Sequence, residues 1–213
     1  MPGWFVTFEG VDGSGKSTQL TRLAARLRAI GLDPVMTREP GGTPLAEGIR
    51  AVLLDPASRP GPLSEAHLIE AARSDLVTQV IAPALAAGRM VLCDRHVDST
   101  IAYQGYGRGL DLDMLRAWNR TATSGLTPDL TLLYDLDPAA GIERRSAAIE
   151  GSNRIDREPL DFHARVRRGF LELARVEPER IVVIDAAGHP RDIENRSWSA
   201  IERILEPEWH RGR

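Results

Sequence analysis

The stretch Trp4 to Thr18 reads WFVTFEGVDGSGKST. An apolar run (Trp4, Phe5, Val6, Phe8) leads into Gly10, Val11, Asp12, Gly13, Ser14, Gly15, Lys16, Ser17 and Thr18. This is the G-x-x-x-x-G-K-[ST] phosphate-loop pattern, set between a strand pattern and a helix pattern, the context that gives the motif its meaning. Its glycines let the backbone curl so that successive N–H groups point inward. Lys16 brings a compact charge to the β/γ-phosphates of a bound nucleoside triphosphate, and Ser17 offers a hydroxyl to Mg²⁺. The N-terminal N–H groups and dipole of the following helix favour the same anion. Of 27 basic residues, Lys16 is the lone lysine and all others are arginine. The one slim ammonium falls where a guanidinium fork would not fit the cradle.

Composition bounds the rest. A chain of 213 residues is expected to form one domain with a full-sized core. A net charge of −3 argues against broad nucleic-acid or membrane binding. The single cysteine, Cys93, excludes an internal disulfide and lies in an apolar run, as a small core residue does. No run approaches the length of a membrane span, which points to a cytoplasmic protein. The histidines (His67, His96, His163, His189, His210) form no metal-ligand spacing.

Outward from the loop, Leu20, Leu23, Leu27 and Ile30 recur at helical spacing up to Gly31. A short strand over Pro34 to Thr37 ends in the charged turn Arg38-Glu39-Pro40-Gly41-Gly42-Thr43. Leu45 to Leu54 is helical and carries Arg50. Ser64 to Ala87 reads as one long helix with Ile69, Ala72, Leu76 and Val80 on a face, kinked at Pro83. Met90 to Cys93 is a buried strand running into Asp94-Arg95-His96. A short helix through Tyr103 precedes a glycine-rich stretch, Gln104 to Gly109. Further helices are expected over Asp111–Thr123, Pro138 to about Ala148, Leu160–Val176 and Asp192–Leu205, and strands over Leu130–Leu136 and Ile181–Ile184. The tail from Pro207 is expected to fray. Five alternations of strand and helix predict an α/β fold, a five-stranded parallel sheet with helices on both faces. Ligands then bind beyond the carboxyl ends of the strands. Asp12, the 38–43 turn and Asp94-Arg95 should therefore share one cleft. Asp94, ending an apolar strand, suits Mg²⁺, and Arg95 suits a phosphate.

The set FEGVDGSGKST, TREPGGT, DRHVDSTIAYQG, TPDLTLLYDL and NRIDRE, in this order, closely resembles the thymidylate kinase family from Trp4 to about Leu205. The resemblance implies the P-loop NTPase fold with a short lid, approximately residues 144–156. It implies ATP + dTMP → ADP + dTDP with Mg²⁺, and a homodimer. Carried over residue by residue, Arg50 and Arg95 correspond to the clamp on the acceptor phosphate. Asp12 and Glu39, with Pro40 beside them, correspond to partners of the acceptor sugar and its metal-water shell. Arg73 and Gln104 match positions that hydrogen-bond the base, with Ser99 and Thr100 alongside, and Tyr103 matches the residue against the sugar. Arg144 corresponds to a residue near the adenine and Arg154 to one near the phosphates. Together with Lys16, Asp94, Asp12 and Arg95, Arg154 completes the expected catalytic set.

Three departures stand out. Ile69 occupies a position where the family often has an aromatic residue on the thymine, so an acceptor such as dUMP stays open. Gly13 stands where one subfamily places arginine inside the loop. The lid's middle, Ala147 to Gly151, lacks a basic residue and carries Glu150, so Arg145 or Arg154 is expected to supply the missing charge. A regulatory GTPase would need an N-K-x-D base-reading motif, excluded in a chain whose one lysine is Lys16. A non-catalytic nucleotide-binding module would not need Arg50, Asp94 and Arg95 together.

Overall fold

A computed structural model describes residues 3–147 and 153–209, with side chains omitted at 147 and from 206 onward. The middle of the expected lid, including Glu150, and the end of the chain lie outside the described residues. Strands β1 (Phe5–Glu9), β2 (Val35–Arg38), β3 (Val91–Asp94), β4 (Leu130–Asp135) and β5 (Ile181–Asp185) form one sheet in the order β2-β3-β1-β4-β5. All four pairings are parallel. Central β1 is buried along its whole length, as a strand covered on both faces must be, while edge strand β2 alternates.

After β1 the chain moves outward to β2, and after β3 it crosses to the opposite side of β1 to enter β4. The gap between β1 and β3 is thus the point where chain direction reverses, and the crevice for a ligand opens there. Phe8 is in register with Asp94 across that gap.

Alternation along the strands assigns the two faces. On one face Val6 and Phe8 pack with Leu20, Leu23 and Leu27 of α1 (Lys16–Ala29). Phe8 stacks on Tyr134 at 6.0 Å, and Tyr134 Oη meets Ser197 Oγ of α9 (Pro190–Trp209) at 3.1 Å. On the opposite face Phe5, Val91 and Cys93 pack with Leu76, Val77 and Ile81. Cys93 is buried there, as its apolar setting implies.

The remaining helices follow the periodic pattern with instructive differences. α2 (Pro44–Leu54) is capped by Thr43 Oγ1, which accepts from Ala46 N at 3.2 Å. α3 (Pro62–Leu76) begins with proline at its first position, favoured because its missing N–H would have no partner. The expected helix 64–87 is not continuous. After Leu76 comes a wide π-helical turn, Val77–Ile81, and then α4 (Ala82–Ala86). Pro83 cannot donate the N–H that an α-helix needs, and the wide turn ahead of it absorbs the defect. α5 (Val97–Thr100) likewise continues as a π-helical segment, Ile101–Gly107, which carries the helix expected through Tyr103 on into the glycine-rich stretch. Its glycines serve packing: a Cβ on Gly107 would stand 2.7 Å from Phe162 Cε2. α6 (Leu112–Ala122) is capped by Asp111, α7 spans Pro138–Ala147, and α8 spans Leu160–Val176. α9 continues to Trp209, past the expected end at Leu205 and into the segment expected to fray, because its buried Ile193, Trp198 and Ile201 anchor the helix to the core.

Candidate active site

The loop between β1 and α1 makes its turns at Gly10, Gly13 and Gly15, with φ of 136°, 79° and 88°. Lys16 is 6% exposed, and its Nζ donates to Gly10 O at 3.0 Å and Val11 O at 2.8 Å. Burial, with the neighbouring Arg95 charge, lowers its pKa to about 8. A bound polyphosphate would favour the charged form. Ser17 Oγ donates to Asp94 Oδ2 at 2.5 Å, so the two residues expected at the metal touch each other. A hydroxyl and a carboxylate are hard oxygen donors, and Mg²⁺ bound with phosphates uses few protein ligands, so this pair fits that ion. Among the described residues no cluster of three or more His, Cys, Asp or Glu offers a different metal site.

Arg95 follows β3 with φ 73°, a left-handed conformation uncommon for a residue with a side chain. Its guanidinium binds both sides of the crevice. It donates to Gly10 O at 3.0 Å and Asp12 Oδ1 at 2.8 Å in the loop, and to Ser99 Oγ at 3.1 Å and Tyr103 Oη at 3.0 Å. Tyr103 Oη in turn donates to Asp12 Oδ2 at 2.9 Å. Burial opposes the charge on Asp12, but Arg95 and Lys16 outweigh it and hold the carboxyl well below the usual range. Behind this turn lies Glu9, fully buried at the end of β1. It accepts from His96 N at 2.7 Å and from Ser99 Oγ at 2.6 Å, pinning the segment that carries Arg95. Burial and the nearby Asp98 charge raise its pKa to about 8.

Arg73 of α3 is 1% exposed and engaged on every side. It donates to Glu39 at 2.8 Å, Glu70 at 2.7 Å, Thr100 Oγ1 at 2.9 Å, Asn119 Oδ1 at 2.6 Å and His96 O at 3.1 Å. His96 Nδ1 also lies 2.8 Å from Glu39 Oε1. Burial opposes the charge of Glu39, yet Arg73 and His96 keep its pKa low. Glu70 is raised, by burial first. Arg50, half-buried on α2, donates to Pro40 O at 2.9 Å. Its pKa is lowered by burial and by Arg38 nearby.

These groups surround one cavity of ≈ 420 Å³. It is lined by Asp12, Gly13, Gly15, Lys16, Ser17, Thr18, Glu39, Pro40, Arg50, Ile69, Arg73, Asp94, Arg95, Ser99, Thr100, Tyr103, Gln104, Arg144 and Arg154. Gly10, Val11 and Ser14 do not line it; the carbonyls of the first two accept from Lys16 instead. Arg144 NH1 donates to Ala186 O at 3.1 Å, just beyond β5. Arg154 is tied to the opposite wall, its NH2 2.6 Å from Glu65 Oε2 and its Nε 3.0 Å from Leu53 O. Arg145 also lines the cavity, with Asp156 at 3.3 Å.

Sequence reasoning passed over Glu9 and Glu65, and placed Arg38 in the cleft only as part of the 38–43 turn. Glu9 carried the same signal as Asp94, an acid closing an apolar strand. Arg38 and Glu65 also line the cavity. Glu65 lies in the first turn of α3, where an acid reads as a favourable partner of the helix dipole.

Comparison with known proteins agrees with this geometry. Residues 8–196 match the family model described as thymidylate kinase. The chain is 52% identical over 200 residues to the thymidylate kinase of Deinococcus radiodurans, covering 93% of this chain and 96% of that one. It is 54% identical over 210 residues to that of Desulfovibrio desulfuricans, covering 94% and 96%. The crystal structure of thymidylate kinase from Ehrlichia chaffeensis superposes with a TM-score of 0.79 at 34% identity, over 95% of this chain and 99% of that one.

Proposed function

The chain belongs to the thymidylate kinase family, and on that premise we propose that it transfers the γ-phosphoryl group of ATP to dTMP, giving ADP and dTDP. The observation that carries this reading is one cavity lined both by Lys16 and Ser17 of the phosphate loop and by Arg73 and Gln104, with Arg95 bonded to Asp12 of the loop and to Tyr103. Phosphoryl transfer needs positioning and positive charge more than covalent help from the protein. Lys16 and the loop N–H groups hold the donor phosphates. Arg95, fixed by Asp12 and Tyr103, and Arg50 orient the acceptor phosphate. Arg73 and Gln104 face the base and Ile69 covers it; Arg73 must exchange one of its protein partners to donate to it. Ser17 and Asp94 would hold Mg²⁺, which would supply positive charge against the negative charge that develops during transfer. Arg144 belongs to the adenine end, and Arg145 or Arg154 supplies the cation that the loop lacks at Gly13.

The homodimer and the cytoplasmic location implied by the family are part of the same proposal. Exposed Leu45 and Val52 on α2 and Leu63 on α3 support a self-associating face, which molar mass in solution checks. Among the described residues no helix is long and apolar enough to cross a membrane. A coupled assay of ADP release with ATP, Mg²⁺ and a panel of nucleoside monophosphates tests the activity. dTMP should be the preferred acceptor; turnover with another monophosphate but none with dTMP would refute the assignment.

A further inference from the structure

Glu65 is 1% exposed, and its carboxylate gathers four donors. Oε1 accepts from Gln104 Nε2 at 2.8 Å and Arg108 Nε at 3.2 Å. Oε2 accepts from Arg108 NH2 at 3.1 Å and Arg154 NH2 at 2.6 Å. Burial works against a charge here, but these donors outweigh it and keep the carboxyl below its ordinary pKa. Glu65 is therefore an ionised, acceptor-only group.

An amide has one accepting end and one donating end. Opposite a carboxylate, Gln104 must turn its Nε2 inward; the flipped amide would set oxygen against oxygen. Its Oε1 is then left over, and among the described residues no protein donor reaches it. Gln104 lines the cavity with Ile69 and Arg73.

We propose that Glu65 is a specificity-determining positioning residue. By holding Gln104 with Nε2 turned toward itself, it makes Gln104 present an acceptor to the base, selecting a pyrimidine with a ring N–H over one with a bare ring nitrogen. The inference rests on the reading of Gln104 as a base contact. A cytosine ring nitrogen would face Oε1 acceptor to acceptor. Sites built around such a hydrogen bond reject the mismatched analogue by factors on the order of 10⁴. In Glu65→Gln the arginines at the former Oε2 claim the one remaining oxygen. The new NH2 then faces Gln104, whose amide flips and offers a donor.

The test compares kcat/KM for dTMP and dCMP in the full chain, in E65Q and in the exchange variant E65Q/Q104E, with melting temperatures alongside. The dTMP/dCMP ratio should fall by about 100-fold or more in E65Q. It should return to within about tenfold of wild type in the exchange variant, where the amide at position 65 donates to the carboxylate at position 104 and the second carboxylate oxygen is again an acceptor for the base. A merely structural or lid-related role would lower both substrates alike, and an unchanged ratio in E65Q overturns the inference. So does an exchange variant that stays as unselective as E65Q. Should E65Q fail to fold, the wild-type chain decides: dUMP keeps the ring N–H and should exceed dCMP by about 100-fold, whereas equal turnover of the two overturns the inference. Absence of dTMP turnover in wild type overturns both this inference and the functional reading, while normal dTMP turnover with an unmoved ratio overturns the inference alone.

Discussion

Replacing Gly13 with alanine should damage the ATP end of the site more than the acceptor end. Gly13 has φ 79°, and a Cβ there would overlap Gly141 O and stand 2.7 Å from its carbonyl carbon. Both are backbone atoms of α7, so relief requires moving either that helix or the phosphate loop. The left-handed conformation costs an alanine about 1–2 kcal/mol. Overpacking adds about 1–3 kcal/mol, for a total near 2–5 kcal/mol. At about 2–4 °C per kcal/mol for a chain of this size, Tm should fall by roughly 5–20 °C. Gly141→Ala separates the two causes. Its Cβ would overlap Asp12 O, but its backbone is ordinarily helical and alanine gains about 1 kcal/mol of helix propensity. That variant should keep most of its stability yet displace the same loop. In both, steady-state kinetics should show KM for ATP raised about tenfold or more, equivalent to about 1.4 kcal/mol, with KM for dTMP within about threefold. A Gly13→Ala protein melting within about 2 °C of wild type, with KM for ATP unchanged, would refute the argument. The same contact explains why no arginine stands in the loop: any side chain at 13 meets the α7 backbone.

Lys16→Arg should lose about 100-fold or more in kcat, because a guanidinium does not fit the space between Gly10 O and Val11 O, while the melting curve stays close to wild type. Wild-type turnover would show that the single lysine is incidental. Glu9, with its pKa raised to about 8, holds a proton in the folded chain that the unfolded chain releases above about pH 4.5. Its contribution to stability should therefore decline as pH rises through that window, up to about pH 8, and Glu9→Gln should flatten this part of the Tm–pH curve. Parallel curves for the two proteins would reject it. Arg73→Ala leaves Glu39 and Glu70 buried without their cation, at a cost of about 3–5 kcal/mol, read as a large Tm loss; a shift under about 2 °C would contradict it. Finally, Arg145→Ala and Arg154→Ala should be assayed as a pair. A supplied arginine is worth roughly 10³-fold, so losses under tenfold in both variants remove the lid arginines from the transition state.

Much of the site was legible because its parts are local. The phosphate loop is continuous in sequence, and Asp94-Arg95 closes an apolar run, so each could be placed at a strand end before any strand was paired. The wide helical turns at Val77–Ile81 and Ile101–Gly107 were not legible. They answer to Pro83 and to the approach of Phe162, and the second is set by a helix distant in sequence. The family resemblance matched Arg73 to a position that hydrogen-bonds the base. Its burial among Glu39, Glu70, Thr100 and Asn119 depends on residues from separate elements, and no local pattern records that convergence.

The sequence by itself determined the parallel α/β architecture, the phosphate-binding loop and the identities of most cavity-lining residues. The first two follow from periodicity and from the chemistry of short motifs, both local properties of the chain, while most of the cavity-lining residues were assigned through the resemblance to the thymidylate kinase family. Only the tertiary structure decided which partners each charge has. Arg95 is locked to Asp12 and Tyr103, Arg154 to Glu65, and Glu9 is sealed behind the site. Hydrogen-bond polarity, burial and pKa depend on distances across the sheet crevice, and those distances exist only once β1 and β3 lie side by side.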